Sequence, residues 1–224
     1  MESTYPRFTP EMKKTHKILI PNMAPVQFRI LAASMENHGY QVELLGNCGE
    51  RVAELGLKYV HNDTCYPALL VIGQFLDALD SGKYDLDHTA LIITQTGGGC
   101  RASNYLCLLR KALEKMDMEY VPVISLSFGG YEHYSGFKIT PGMMATGIRS
   151  LIYGDMLLLL KNQCLPYEQN EGDTRRVVEK WIASLTDQFR RKEGLSAGAM
   201  KKNLAAMAKD FHDIPKVKRD TVKV

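Results

Sequence analysis

Short apolar runs alternate with segments of helical periodicity over the first half of the chain. Five short runs are predicted to be strands, and they cover residues 17–23, 41–45, 59–60, 89–94 and 121–126. Helices are predicted between them over residues 24–38, 50–55 and 67–79, with a further one after the fourth strand that carries Leu106, Leu109, Leu113 and Met116 on one stripe. The run at 89–94 is apolar throughout, as is typical of a parallel strand buried on both faces.

This alternation predicts an α/β fold with a doubly wound, Rossmann-like parallel sheet. Residues 1–16 form a polar lead, and residues 17–140 form the α/β domain that carries the cysteine loops. From residue 141 to 214 the periodicity is helical only, which predicts a C-terminal helical appendage, either a layer or a subdomain, with Ser196 as a helix N-cap. Residues 215–224 form a basic linker that ends like the start of another strand, so a truncation before a second α/β domain is expected.

Composition narrows the class of protein. The 224 residues are 45% hydrophobic, which is enough for an ordinary core, and the net charge of +3 is spread too evenly to indicate nucleic-acid binding. No secretory signal is present, and the apolar stretch at 156–160 is short and interrupted by Arg149 and Asp155, so a cytoplasmic protein without a membrane span is expected. An odd count of five cysteines in such a chain favours metal or redox use over disulfides.

Cys65 and Cys100 are the candidate metal or cluster ligands. Each follows a predicted strand and precedes a predicted helix, which is where open α/β sheets place their chemistry. Helix N-terminal amides and a neighbouring arginine favour the thiolate form of a cysteine. Two such thiols on neighbouring loops are therefore expected to ligate one metal centre, although a lone cysteine pair is weak evidence because buried inert thiols are common.

The residues beside the two cysteines are expected to line the site. Three glycines allow a bulky group to approach the backbone, and polar side chains supply hydrogen-bond donors to thiolate or sulfide. The lining residues are Asn62, Gly97, Gly98, Gly99, Arg101 and Asn104. Two simpler interpretations stay open: the glycines form an ordinary tight turn, and Arg101 pairs with a surface carboxylate.

The other cysteines and one histidine are weaker candidates. Cys48, on a loop after a strand, and His133, on a long loop after the last strand, are further candidates for the same crevice. Cys107 is expected to pack in the core, and Cys164 is expected to be incidental. No local zinc knuckle, HExxH motif or Ser/His/Asp arrangement stands out.

Three segments carry a resemblance to a known family. They read Asn-Asp-Thr-Cys-Tyr-Pro at 62–67, Gln-Thr-Gly-Gly-Gly-Cys-Arg-Ala-Ser-Asn-Tyr at 95–105, and Leu-Pro-Tyr-Glu at 165–168, where relatives have Arg-Pro-Tyr-Glu. Two shorter matches, Gly-Gln at 73–74 and Ser-Gly-Lys-Tyr-Asp at 81–85, lie between the first two segments. Over roughly residues 15–168 the chain resembles the 2-hydroxyacyl-CoA dehydratase D-component superfamily. It is more closely similar to the C-terminal part of acyl-CoA dehydratase activase-related proteins, and more distantly to double-cubane cluster proteins.

The resemblance implies an oxygen-sensitive iron-sulfur cluster, [4Fe-4S] or larger, held by three cysteines per subunit and reduced by an ATP-hydrolysing activator. Dehydratases of this kind use one-electron reduction to remove water from a 2-hydroxyacyl-CoA. Cys65 and Cys100 match the first two ligand positions, and the third normally lies in a second α/β domain beyond residue 224. The resemblance therefore implies a lyase or reductase component that works under anaerobic conditions, as a dimer or as part of a larger chain.

In the isolated chain the cluster site is expected to be empty or labile. The alternative interpretation is a non-catalytic scaffold module that holds a coenzyme A thioester or the activator without metal.

Overall fold

The sheet is built from four parallel strands. A computed structural model describes residues 5–95, 101–127 and 136–218, apart from the side chains of residues 101 and 102. The strands are β1 (Lys17–Ile20), β2 (Gln41–Leu44), β3 (Thr89–Gln95) and β4 (Val123–Ser127), in the spatial order β2-β1-β3-β4. The α/β class and the parallel sheet are confirmed, and the order is consistent with a Rossmann-like fold. After β2 the chain crosses to the other side of β1, so the strand order reverses between β1 and β3.

The described residues form eight α-helices and three short 3-10 helices. The α-helices are α1 (Met12–Thr15), α2 (Pro25–Asn37), α3 (Glu50–Tyr59), α4 (Tyr66–Asp80), α5 (Tyr105–Glu114), α6 (Pro141–Cys164), α7 (Asp173–Arg190) and α8 (Ala197–His212). The 3-10 helices cover Leu86–His88, Arg101–Asn104 and Leu165–Tyr167. The predicted N-cap of α8 is confirmed, because the Ser196 hydroxyl accepts a 3.2 Å hydrogen bond from the amide of Ala199.

The chain divides into two compact units. An α/β unit comprises residues 1–23 and 39–139, and a helical unit comprises residues 24–38 and 140–224. The sequence analysis places α2 in the α/β domain, whereas the structure places it in the helical unit. The reason is its apolar stripe of Val26, Ile30 and Ala33, which packs in one core with residues of α6, α7 and α8.

The predicted strand at residues 59–60 is wrong, and the predicted helix before it is too short. Helix α3 continues through Gly56 to Tyr59, and Val60 is its C-cap. Gly56 does not end the helix but lets α4 come close, since a Cβ there would lie 2.3 Å from the carbonyl oxygen of Leu69. Gly73 of α4 makes the reciprocal approach to α3. The chain therefore enters the Cys65 loop from a helix and not from a strand.

Helix α6 is longer than its apolar run suggested. With the 3-10 helix that follows, it forms a 27-residue helical segment, Pro141–Tyr167, whose most apolar window has a mean hydropathy of 1.3 and is 33% buried. The argument that this segment is too short to cross a bilayer is therefore wrong. Length and composition alone are weak evidence for a membrane span, because the core helix of a soluble protein passes the same test.

Candidate functional site

Cys65 lies at the start of α4. It is the N-cap residue, it is partly buried, and its carbonyl oxygen accepts a 2.9 Å hydrogen bond from the amide of Ala68. Its Sγ lies 3.7 Å from the hydroxyl oxygen of Tyr105, the first residue of α5. The thiol thus lies at the N-terminal end of α4 and contacts the side chain of the first residue of α5.

Hydrogen bonds of the Gln95 side chain connect the residues on either side of the loop that carries Cys100. Gly97, Gly98, Gly99 and Cys100 lie outside the described residues, but the residues on both sides of them are described. The side-chain Nε2 of Gln95, at the end of β3, donates to the carbonyl oxygen of Ser103, and the hydroxyl of Ser125 on β4 donates to Gln95 Oε1 at 2.9 Å. A single buried side chain therefore joins the two ends of this loop and ties them to the neighbouring strand.

Cys65 contacts the helix into which the Cys100 loop leads. Tyr105 follows Cys100 by five residues in the sequence, and the 3-10 helix Arg101–Asn104 leads directly into it. The Tyr105 hydroxyl is in contact with Cys65 Sγ. This contact supports a shared site for the two cysteines, which remains an expectation because Cys100 is outside the described residues.

Two of the predicted lining residues are exposed, and the others lie wholly or partly outside the described residues. Asn62 and Asn104 are exposed, and Asn104 precedes α5 without capping it through its side chain. Arg101 begins the 3-10 helix after the glycines, and only its backbone is described. His133 lies outside the described residues. Cys48 is exposed on the loop after β2.

The core position predicted for Cys107 is wrong. Its thiol is exposed, because the buried stripe of α5 consists of Tyr105, Leu106, Leu109, Ala112 and Leu113, and position 107 falls on the opposite side of a helix with 3.6 residues per turn. Cys164, in contrast, is buried in the core of the helical unit, and its thiol donates to the carbonyl oxygen of Phe211 at 3.5 Å. Cys164 is therefore a packing residue.

A hydrogen-bond network that the sequence analysis did not predict connects the loops after β1 and β2 to α4. Gln74 accepts from the amide of Asn22, which follows β1, at 2.7 Å and donates to the carbonyl oxygen of Asn47, which follows β2, at 2.8 Å. Asn47 donates in turn to Asp77 at 2.8 Å. The signal in the sequence was Gln74, a polar residue between Ile72 and Phe75 of a mostly apolar helix. The network anchors the loop of Cys48 to the helix that Cys65 begins.

Glu168, in the third of the resembling segments, has a structural role. Its carboxylate accepts hydrogen bonds from the amides of Gly172 at 2.9 Å and Thr174 at 2.7 Å, at the start of α7. These bonds, with that from Gly172 the strongest, lower the pKa of Glu168 below its ordinary value. The segment therefore caps a helix of the helical unit.

A polar cavity of about 220 Å³ lies at the opposite edge of the sheet, where the strands begin. Its lining residues are Thr15, Lys17, Gln41, Lys83, Tyr84, Asp85, His88 and Thr89. Beside it, burial alone would raise the pKa of Glu43, but hydrogen bonds from Lys83, Tyr84 and Lys17 outweigh burial and lower that pKa to about 2. Both lysines thereby form an ion pair with the same carboxylate.

No set of three or more His, Cys, Asp or Glu side chains is placed to hold a metal ion among residues 5–95, 101–127 and 136–218. The donor set at the site nevertheless fits a thiolate-bound cluster in part, because Cys65 offers a partly exposed, unoxidised thiol. The chain matches no family model, no curated protein and no solved structure. The cysteine motifs and the contacts around Cys65 therefore carry the inference of function.

Proposed function

We propose that this chain is the iron-sulfur cluster-binding half of a 2-hydroxyacyl-CoA dehydratase-like protein or of an ATP-dependent cluster reductase in the cytoplasm. In this proposal the sheet is doubly wound, the helical unit is appended to it, and Cys65 and Cys100 hold the cluster. The observation that carries the proposal is the 3.7 Å contact between Cys65 Sγ and the hydroxyl of Tyr105, at the start of the helix that follows Cys100.

The chain's own residues prepare the site for negative charge. In this proposal the Tyr105 hydroxyl donates a hydrogen bond to the Cys65 thiolate, and the start of α4 is the favourable end of the helix dipole for that negative charge. Gln95 holds the base of the Cys100 loop. A bound cluster supplies one-electron transfer. Since a four-iron cluster normally takes four cysteine thiolates, two cysteines leave coordination positions for an activator, a further domain or exogenous thiols.

Anaerobic reconstitution with iron and sulfide in the presence of dithiothreitol tests the proposal. The chain is expected to gain broad visible absorption together with bound iron and sulfide. Cys65→Ser and Cys100→Ser are each expected to remove most of the bound iron, whereas Cys107→Ser, which changes an exposed thiol on α5, retains it. Iron retained in both ligand variants, or lost only in Cys107→Ser, contradicts the assignment.

The second candidate is a metal-free module that binds a coenzyme A thioester or the activator. Calorimetric titration of the metal-free protein with an acyl-CoA separates the two functions. Saturable binding by a chain that takes up no iron supports the module, and iron uptake that depends on Cys65 supports the cluster.

A further inference from the structure

Two histidines lie side by side at the edge of the sheet where the strands begin. His16 directly precedes β1, and His88 directly precedes β3. These strands are parallel neighbours in which Lys17 pairs with Thr89, so the register places residues 16 and 88 next to each other. Their imidazole ring centroids are 5.6 Å apart, and the ring planes are inclined by 60°. The pairing of the strands therefore holds the two imidazoles together.

Each of these imidazoles has its Nδ1 atom in a hydrogen bond. Asp85 Oδ2 lies 2.7 Å from Nδ1 of His88, and Thr15 Oγ1 lies 2.9 Å from Nδ1 of His16. The Asp85 carboxylate selects the His88 tautomer whose Nε2 carries a lone pair, and the Thr15 hydroxyl can accept from His16 in the same way. Neither Nε2 atom has a hydrogen-bond partner among the described residues. Both rings thus have one nitrogen held and the other available to a ligand.

The arrangement matches that of histidines which bind one metal ion. A metal-binding histidine almost always donates its other ring N–H to a carboxylate, a carbonyl group or water, which fixes the tautomer and the orientation of the ring. With Zn–N bonds of about 2.0–2.1 Å, two imidazoles on one tetrahedral ion have ring centroids roughly 5 Å apart. The observed separation of 5.6 Å therefore needs only a small rotation of the side chains to accommodate an ion.

The surroundings of the pair admit a cation. The ammonium groups of Lys17 and Lys83 form ion pairs with Glu43, and Asp85 supplies a second carboxylate, so two positive and two negative charges offset each other. The His88 side chain is 57% exposed, which gives an ion a path from solvent. His88 also lines the polar cavity of about 220 Å³, which has room for water molecules on the ion.

We propose that His16 and His88 bind a divalent transition-metal ion, with Zn²⁺ as the representative, through their two Nε2 atoms. Imidazole nitrogen suits zinc, copper and nickel, whereas magnesium and calcium prefer oxygen ligands. Two protein ligands leave the remaining coordination positions to water, in contrast to the four protein ligands of a closed structural zinc site. The site is separate from the proposed cluster, since neither histidine belongs to the cysteine loops.

Calorimetric titration of the full chain with Zn²⁺ at neutral pH tests the site, after alkylation of the accessible thiols with iodoacetamide because thiolates also bind zinc. One ion is expected to bind per chain, and His88→Gln is expected to raise the dissociation constant about tenfold or more. His61→Gln is the matched control, because His61 is also exposed and lies 3.4 Å from a carboxylate, that of Asp63, but is outside the pair. No zinc binding by the alkylated chain, or equal effects of the two variants, overturns the proposal.

Long-range proton–nitrogen NMR spectra of the alkylated chain show whether both imidazoles bind the same ion. Zinc is expected to shift the Nε2 resonances of His16 and His88 together, with assignments from His16→Gln and His88→Gln. Asp85→Asn is expected to weaken zinc binding about tenfold, because it removes the carboxylate that orients His88. Asp87→Asn, in the same 3-10 helix, is the control and is expected to retain the affinity. A shift of His88 alone, or equal losses of affinity in the two aspartate variants, overturns the proposal.

Discussion

At the scale of single residues, Gln95 connects the sheet to the cysteine loop. Its side chain is 8% exposed, and it is bonded both to the backbone of Ser103 and to the hydroxyl of Ser125. An amide supplies a donor and an acceptor at once, which no apolar residue of similar size can do. Gln95 thus fixes the exit of β3 whether or not the loop holds a ligand.

Gln95→Leu is expected to destabilise the chain by about 1–3 kcal/mol, because it removes two hydrogen bonds of a buried side chain, to the Ser103 carbonyl and from the Ser125 hydroxyl. Urea unfolding measures this loss. Gln41→Leu is the matched control, since Gln41 is exposed and makes one hydrogen bond, to the carbonyl oxygen of Lys14. The control is expected to change stability by no more than about 0.5 kcal/mol. Equal losses in the two variants would argue against a special role for Gln95.

Glu43 makes stability depend on pH in the acid range. Its pKa in the folded chain is about 2 and lies below the ordinary value of 4.5, so the ionised form is the one that folding favours. The contribution is complete above pH 4.5 and is lost as pH falls toward 2. Glu43→Gln is expected to flatten the fall of the urea midpoint between pH 4.5 and 2. Glu171→Gln, in an exposed turn, is the control, and an equally steep fall in Glu43→Gln and the wild type contradicts the account.

At the scale of elements, two glycines allow α3 and α4 to touch. A Cβ at Gly73 would lie 2.0 Å from the carbonyl oxygen of Val52, a distance that only movement of the helices can relieve. Gly73→Ala is therefore expected to cost about 1–3 kcal/mol or more in unfolding free energy. Gly198→Ala in α8 has no atom within 4 Å and is expected to stabilise by up to about 1 kcal/mol. Stabilisation by Gly73→Ala would show that the helices are not tightly packed.

Elements with long, regular periodicity were predictable, and those decided by tertiary contact were not. Helix α4 was predicted over 67–79 and extends from Tyr66 to Asp80, because its apolar stripe is continuous. Gly56 has the local appearance of a helix end, and its actual role depends on Leu69, thirteen positions later in the sequence. The exposure of Cys107 could have been predicted from a helical wheel, because Leu106 and Leu109 place the buried side of α5 away from position 107. The contact between Cys65 and Tyr105 joins residues forty positions apart, which no local pattern specifies.

At the scale of the whole molecule, each of the two units has its own apolar core. The core of the α/β unit includes Leu19, Phe75 and Leu91, and that of the helical unit includes Tyr153, Trp181 and Phe211. Burial of this extent provides folding free energy without metal. The chain is therefore expected to fold in the absence of a cluster, and a chelator is expected to leave its thermal unfolding midpoint unchanged. Cooperative unfolding on addition of chelator would show that ligation is part of the fold.

The central claim is that Cys65 and Cys100 serve one site, and dibromobimane tests it because this reagent fluoresces strongly once it has bridged two neighbouring thiols. The chain for this test carries Cys48→Ser and Cys107→Ser, which leaves Cys65, Cys100 and the buried Cys164. Metal-free protein is expected to become fluorescent, and Cys65→Ser or Cys100→Ser to abolish the signal. Prior anaerobic loading with iron and sulfide is expected to block the reaction. Fluorescence that persists without Cys65, or that iron and sulfide do not prevent, would contradict the shared site.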